Sequence, residues 1–138
     1  MSSRDDLAVV RRLYAGFAAR DTAAIGAVLH PEVRVYQAGE LPWAGTYEGP
    51  AGVQAFLGAL LGHVDPEVEV VDLFAAGDAV VQVGRSRGRA HATGRTFDAS
   101  EVHVFRVRDG LVVRFEAFVD VAEFRRALEP VSPAARAR

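Results

Sequence analysis

The stretch FDASEVHVFRVRDGLVVRFEAFVD, residues 97–120, decides the fold of this chain. Two segments rich in β-branched and aromatic residues flank Arg108-Asp109-Gly110 and alternate with a period of two. Asp-Gly between such segments indicates a β-hairpin, because both residues tolerate the positive φ of a tight hairpin turn. The stretch therefore predicts a central antiparallel hairpin.

Glu101 and His103 are the polar residues on one face of the predicted hairpin. They lie two residues apart in its first strand, so their side chains leave the sheet on the same side as Phe105. Burying either group without a partner costs roughly a few kcal/mol. The two side chains must therefore face water, pair with each other or line a cavity, and their function depends on which.

Length and composition predict one globular domain. The chain has 138 residues, of which 50% are hydrophobic and 25% charged, and we place the domain at residues 1–130 and a disordered tail at residues 131–138. The net charge of −2 argues against a nucleic-acid or membrane-surface partner. No stretch reaches the ~18 apolar residues of a membrane span. We expect a cytoplasmic protein, and the Lys-free, Arg-rich composition suggests a bacterial source.

The order of the elements predicts an α+β fold. Helical periodicity gives two nearly contiguous N-terminal helices and a third in the middle of the chain, and from Glu67 the period changes to two. A curved, mostly antiparallel sheet wrapped around these three helices makes a cone-shaped α+β barrel whose inner face lines a pocket. The predicted elements are helices from Ser3 to about Arg20, Asp21 to Leu29, Pro50 to Gly62 and Val121 to Leu128, and strands over residues 32–36, 68–75, 79–87 and the two arms of the hairpin.

Three segments of the chain resemble the SnoaL-like, nuclear-transport-factor-2-like superfamily. They are VVRRLYAGFAARDTAAIGAVLHPEVRVY at residues 9–36, GTYEGPAGVQAFL at residues 45–57 and VFRVRDGLVVRFEAFVD at residues 104–120. The resemblance covers about residues 5–128 and implies the cone-shaped fold. It does not fix the chemistry, because the superfamily contains ketosteroid isomerases, polyketide cyclases, limonene-epoxide hydrolases, dehydratases and non-catalytic binding modules.

The catalytic residues of the isomerases and hydrolases are not kept in this chain. In the isomerase pattern the tyrosine falls on Leu13, one residue from Tyr14, the base on Tyr36 and the oxyanion-binding acid on His103. The three positions of the hydrolase pattern fall on Gly84, Ser86 and Ala117. The resemblance therefore implies neither of these two mechanisms, whereas the His and acid of the cyclases have a counterpart in His103 and Glu101.

The strand at residues 79–87 allows two orientations. The hydrolase register places Gln82, Gly84 and Ser86 inside the cone, where small residues leave volume for a ligand. A slip by one residue would put Arg85 and Arg87 in the cone and would imply an anionic ligand. We favour the first orientation.

We predict His103, Glu101, Tyr14 and Tyr36 as the catalytic residues. An imidazole can act as acid or base near neutral pH, with Glu101 as its partner or as a base itself, and a tyrosine can donate a hydrogen bond to developing oxyanion charge. The alternative is a structural histidine and tyrosines at the edge of the core. The residues that we expect to contact a substrate are Phe17, Trp43, Tyr47, Phe56, Gln82, Phe105 and Phe115, with Trp43 and Tyr47 either stacking on a planar ligand or sealing their loop onto the cone.

The leading hypothesis for function is a cofactor-independent isomerase, cyclase or dehydratase. It would act by acid–base chemistry on a hydrophobic, polyketide- or terpenoid-like small molecule. The chain has no cysteine, and His30, His63 and His91 show no metal-ligand spacing, so we expect no metal site. The alternative is a non-catalytic homodimeric ligand-binding protein. Contact between Glu101 and His103 inside an accessible cavity would favour the enzyme.

The outward face of the hairpin predicts a homodimer. It mixes apolar side chains with charges of both signs and carries more apolar surface than a solvated sheet face normally shows. Its residues are Val102, Val104, Arg106, Arg114, Glu116 and Phe118. A second copy could bury this face with self-complementary contacts between arginine and glutamate. The alternative is that the C-terminal helix folds back over it.

Overall fold

Six strands form one curved, unclosed sheet with the helices packed against its inner side. The computed structural model describes residues 2–130. The elements in chain order are α1 (Ser3–Ala18), α2 (Thr22–Gly26), β1 (Leu29–Gln37), β2 (Gly45–Glu48), α3 (Gly49–His63), β3 (Val64–Ala76), β4 (Ala79–Ala90), β5 (Thr96–Arg108), β6 (Leu111–Val119) and α4 (Val121–Leu128). The strand order is β2-β1-β6-β5-β4-β3, with β1 and β6 parallel and the other neighbours antiparallel. The predicted α+β cone is confirmed.

The predicted central hairpin is formed by β5 and β6. Asp109 and Gly110 have φ values of 54° and 75°, the positive values that favour a tight turn between the two strands. The pairing places Glu101 opposite Val119, His103 opposite Ala117 and Phe105 opposite Phe115. Glu101, His103 and Phe105 therefore share the inner face of the sheet with the inward residues of β6.

The inward orientation that we favoured for β4 is confirmed. Gln82, Gly84 and Ser86 are buried, whereas Arg85 and Arg87 point outward, and the Arg85 Nε lies 2.6 Å from the Asp98 Oδ1. One detail needs correction, because Gly84 leaves no free volume for a ligand. A Cβ at position 84 would overlap the backbone carbonyl oxygen of Glu69 and the Oε1 of Gln82.

Several element boundaries differ from the prediction. Ser2 caps α1: its Oγ accepts a hydrogen bond from the Asp5 backbone nitrogen, and the Asp5 carboxylate accepts one from the Ser2 backbone nitrogen. β1 begins before Pro31, and this proline is tolerated because the pairing of β1 shifts between Leu29 and Arg34 and leaves that part of the strand outside the regular ladder. The loop at residues 37–49 contains the short strand β2.

The helix α4 lies against the inner side of the sheet. Asp120 caps it by accepting a hydrogen bond from the Glu123 backbone nitrogen. Phe124 is buried between Phe97 and Trp43, at ring-centroid distances of 4.6 and 5.3 Å. The helix therefore leaves the outer face of the hairpin uncovered. The predicted tail at residues 131–138 lies outside the described residues.

None of the helices within residues 2–130 has the length and apolar character needed to cross a membrane.

Candidate functional site

A cavity of about 90 Å³ lies between the helices and the inner face of the sheet. Most of its lining is apolar, and the polar side chains that reach it are Tyr14, Gln37, Ser86, Glu101 and His103. Ligand pockets usually measure about 300–1,000 Å³, and an engineered cavity of about 150 Å³ binds benzene. In this conformation the cavity is therefore smaller than the one that holds benzene, and a ring enters only if the lining moves apart.

Glu101, His103, Tyr14 and Gln82 form one buried polar cluster at the wall of this cavity. The Tyr14 hydroxyl lies 2.7 Å from the His103 Nδ1. The Gln82 Nε2 lies 2.8 Å from the Glu101 Oε2 and 3.2 Å from the same His103 Nδ1. The His103 Nε2 lies 3.3 Å from the Glu101 Oε2. The contact that separates the two functional hypotheses is therefore present.

The donors in the cluster determine where the His103 proton lies. An ionised Glu101 can only accept, so the His103 Nε2 that faces it carries the proton, and the single lone pair of Nδ1 accepts from the Tyr14 hydroxyl, the nearer of its two neighbours. A neutral His103 then carries its proton on Nε2, facing the Glu101 Oε2. The other oxygen of Glu101, Oε1, has no hydrogen-bond partner within residues 2–130, so it is the carboxylate atom available to a ligand.

Burial shifts the pKa values of this cluster in opposite directions. It raises the pKa of Glu101 to about 7, against the lowering effect of the Gln82 hydrogen bond. Burial lowers the pKa of His103 to about 3 and raises the pKa of Tyr14 above its ordinary range. At neutral pH His103 and Tyr14 are therefore uncharged, and Glu101 is the group whose charge changes.

The predicted substrate-contact residues fall into two groups. Phe17, Trp43, Phe56 and Phe115 line the cavity, and the Phe115 ring stands edge-on to His103 at a centroid distance of 4.8 Å. The other three lie behind the wall and are Tyr47, Gln82 and Phe105. The Tyr47 hydroxyl donates to the Trp43 carbonyl oxygen at 3.2 Å. This contact agrees with the alternative in which Tyr47 seals its loop onto the cone.

Tyr36 is not brought to the site, and the prediction that it acts there needs correction. The side chains of Val33, Val35 and Gln37 in β1 point inward. Tyr36 lies between Val35 and Gln37 and therefore points outward. Tyr36 is 40% exposed, and its ring contacts Phe118 on the outer face at a centroid distance of 6.3 Å.

Gln37 and Ser86 are cavity residues that we had not assigned to the site. Both are buried side chains, 3% and 4% exposed, and both line the cavity. Extending the alternation of Val33 and Val35 by one step would have found Gln37, and the favoured orientation of β4 already places Ser86 inside. No group of three or more His, Cys, Asp and Glu side chains in residues 2–130 could hold a metal ion.

Comparison with known proteins gives consistent matches over most of the chain. A family model described as the SnoaL-like domain matches residues 10–115. An uncharacterised protein of Mycobacterium tuberculosis is 30% identical over 120 residues, 86% of this chain and 91% of that protein. A solved NTF2-like protein from Burkholderia thailandensis is 31% identical with a TM-score of 0.83, covering 94% of this chain and 100% of that one. The structure of TerC co-crystallised with polyporic acid is 26% identical with a TM-score of 0.82, covering 90% and 98%.

Proposed function

Because the chain belongs to the SnoaL-like family, we propose that it is a cofactor-independent enzyme that moves a proton on a hydrophobic small molecule. Isomerisation, cyclisation and dehydration all begin with such a step. One observation carries the proposal: a buried carboxyl with a pKa near 7 presents a free oxygen to an apolar cavity. We assign the base to Glu101, in place of the leading role that the sequence predicts for His103.

Glu101 takes a proton from a carbon next to a carbonyl group of the substrate. The C–H bond breaks, the proton goes to Oε1, and the electron pair moves into an enolate whose charge rests on the carbonyl oxygen. Return of the proton to another carbon completes an isomerisation with all atoms conserved. A positioned general base contributes roughly a hundredfold to ten-thousandfold in rate. His103 and Gln82 hold Oε2 throughout, so Oε1 stays directed at the ligand.

The lining supports an apolar, planar substrate. Aromatic side chains from α1, α3 and β6 surround the cavity, and TerC, a relative at 26% identity, was co-crystallised with polyporic acid. The cavity volume of about 90 Å³ limits the part of the substrate that enters it to no more than a single ring. We therefore propose enolisable cyclic ketones, which have a C–H bond next to the carbonyl group, as the substrate class.

Hydrogen–deuterium exchange at carbon tests the proposal whichever product is formed. The protein is incubated in D₂O at about pH 8, above the pKa of Glu101, with a panel of monocyclic ketones, and mass spectrometry follows deuterium uptake at carbon. We expect exchange faster than in buffer, and a loss of about a hundredfold or more in Glu101→Gln. Glu48→Gln, which removes a surface partner of Arg34, is the control and should retain the rate.

A second candidate function, ligand binding without catalysis, is favoured by a different observation. The Tyr14 hydroxyl donates to His103, and the His103 N–H faces Glu101, so neither is free to stabilise an oxyanion. Tyr14 thus positions His103, whereas the sequence predicts that Tyr14 contacts the substrate directly. Compounds that bind the wild-type protein but exchange no faster than in buffer would decide for this function.

We also propose that the protein is a homodimer joined through the outer face of the sheet. Phe118 and Tyr36 remain 42% and 40% exposed there, and α4 does not cover them. Arg106 and Arg114 are cross-strand neighbours, and like charges in this position destabilise a sheet. The Glu116 Oε1 of the same chain lies 3.5 Å from the Arg114 Nε, whereas Arg106 has no ion-pair partner within residues 2–130. A second copy related by a two-fold axis would bring its Glu116 toward these arginines and bury the aromatic rings.

Sedimentation equilibrium at micromolar concentration tests the dimer. We expect a mass of twice the 14.8 kDa of one chain. A mass equal to that of one chain would reject the dimer and would leave the proposed site intact, because the cavity lining comes from a single chain.

A further inference from the structure

The hydroxyl group of Ser86 is an unpaired hydrogen-bond donor in the wall of the cavity. Ser86 lies on β4, is 4% exposed and lines the cavity, and its Oγ makes no hydrogen bond with any group in residues 2–130. Within those residues, the Gln82 Oε1 is the side-chain polar atom that is fully buried without a partner. The Ser86 Oγ therefore borders open space, and the space beside it is the cavity. A hydroxyl group there can rotate to donate to a ligand.

The pairing of β4 with β5 places this hydroxyl group next to the free oxygen of Glu101. Gly84 lies opposite Glu101, and along β4 it is flanked by Gln82 on one side and Ser86 on the other. The Glu101 Oε2 is turned toward Gln82 and His103, so Oε1 lies on the side of Ser86. Diagonal neighbours on one face of an antiparallel pair have Cβ atoms up to about 7–8 Å apart. A small polar group of a ligand therefore fits between the Ser86 Oγ and the Glu101 Oε1.

The other polar groups of the wall are engaged or lie farther from Glu101. The Tyr14 hydroxyl donates to the His103 Nδ1, and the His103 Nε2 faces the Glu101 Oε2. Gln37 donates to the Ala38 carbonyl oxygen and lies on β1, which β6 separates from β5 by roughly 9–10 Å in all. Ser86 lies on the strand directly beside β5. It is therefore the donor best placed to act together with Glu101.

We propose that the Ser86 hydroxyl group binds the carbonyl oxygen of the substrate and stabilises the enolate. The proposal rests on the proposed function, in which Glu101 takes a proton from the carbon next to that carbonyl group. One end of the C–C=O unit then meets the Glu101 Oε1 and the other end meets the Ser86 Oγ, which keeps its own proton. Negative charge that develops on the carbonyl oxygen strengthens this hydrogen bond, because charge-assisted hydrogen bonds are the stronger ones. Ser86 thus supplies the donor that the engaged Tyr14 and His103 do not.

A matched pair of ligands tests this donor without any turnover. Cyclopentanone and methylenecyclopentane have nearly the same shape, but only the ketone accepts a strong hydrogen bond. NMR titration of the isotope-labelled protein gives the dissociation constant of each ligand for the wild type and for Ser86→Ala. We expect Ser86→Ala to weaken the binding of cyclopentanone by about fivefold to tenfold, the contribution of one neutral hydrogen bond, and to leave methylenecyclopentane unchanged. The infrared carbonyl stretch of bound cyclopentanone should lie at a lower frequency in the wild type than in Ser86→Ala.

Two further variants separate hydrogen bonding from packing. Ser100→Ala is the matched control, because it removes the same group from the outer face, where the Ser100 Oγ accepts a hydrogen bond from Arg85 at 3.4 Å. It should change neither dissociation constant. Ser86→Thr keeps the hydroxyl group and should therefore keep the ratio of the two constants. Cyclopentanone that does not bind the wild type, or a ratio that Ser86→Ala leaves unchanged, would overturn the proposal.

Deuterium exchange distinguishes failure of this proposal from failure of the proposed function. Where the wild type exchanges a ketone, Ser86→Ala should slow the reaction by about a hundredfold in kcat. Exchange at the wild-type rate in Ser86→Ala would overturn the role of Ser86 and leave Glu101 as the base. A wild type that binds the ketone through Ser86 but exchanges nothing would support the donor and reject the proposed function.

Discussion

The two faces of β5 reverse the usual arrangement of side chains. Polar side chains are buried on the inner face, and apolar side chains are partly exposed on the outer face. Glu101 and His103 point inward and are 3% and 7% exposed. Their outward neighbours Val102 and Val104 form an apolar strip next to Phe118, which is 42% exposed. On the two proposals above, each face meets a partner: the polar cluster meets a small molecule in the cavity, and the apolar strip meets a second copy of the chain.

Gly84→Leu should have the largest effect, because it forces a side chain into the inner face. The new Cβ would overlap the Glu69 backbone, which moves only if β3 separates from β4. We expect the free energy of unfolding to fall by more than about 4 kcal/mol. Val83→Leu, the outward neighbour, should stay within about 1 kcal/mol of the wild type. Urea denaturation followed by circular dichroism measures both, and equal stability of the two variants would refute this difference between the faces.

The hairpin and the orientation of β4 could be predicted from the sequence because both depend on local rules. Asp109-Gly110 fixes the turn, and the period of two then places Glu101 and His103 on one face. The prediction for Tyr36 followed the isomerase pattern and was wrong, because the alternation of Val33 and Val35 already indicates that Tyr36 points outward.

Two features of the site depend on tertiary structure and could not be predicted. The space next to Gly84 is filled because the β3–β4 pairing brings the Glu69 carbonyl to it, and this pairing shifts between Val70 and Asp72. We propose Glu101 and not His103 as the base because burial favours the neutral form of each, raising the pKa of Glu101 and lowering the pKa of His103. The depth of burial is not visible in a single sequence.

Glu101→Gln should change how stability depends on pH. The folded protein holds the Glu101 proton more tightly than the unfolded chain does, so this group stabilises the fold below about pH 4.5, and the contribution is lost as pH rises to about 7. The glutamine side chain of the variant does not titrate. The stability of the variant relative to the wild type should therefore increase between these pH values, by an amount on the order of a few kcal/mol. Taking the difference cancels the contribution of His103, whose lowered pKa has the opposite sign.

A partly exposed carboxyl, that of Glu123, provides the contrast for this measurement. A hydrogen bond from Arg126 lowers the pKa of Glu123 on α4, so its contribution is present at neutral pH and is lost as pH falls below the ordinary range of a glutamate. Glu123→Gln should therefore lose relative stability at neutral pH and not at acidic pH. Chemical denaturation at a series of pH values compares the two variants, and the same sign for both would contradict the assignment of Glu101 as a buried acid.

Ala117→Leu should abolish ligand binding while the protein remains folded. Ala117 is 2% exposed, lies opposite His103 and lines the cavity, so a leucine there would occupy much of the volume of about 90 Å³. We expect the affinity for any compound that binds the wild type to fall by about a hundredfold, with a stability cost of about 1–3 kcal/mol. Calorimetric titration with circular dichroism measures both, and unchanged affinity would place the ligand outside this cavity.

Phe118→Arg should have the smallest effect of the four and tests the outer face. An unpaired charge in a buried interface is costly, so we expect the dimer dissociation constant to rise by about tenfold or more. Phe118→Leu is the matched control, because it keeps an apolar side chain and should change the constant much less. Sedimentation equilibrium over a range of concentrations gives both values, while the inner face should still bind ligand because Phe118 does not line the cavity. If Phe118→Arg dimerises as well as the wild type, the contact lies elsewhere, and the edge strand β3, where Val71 is 65% exposed, is the next surface to test.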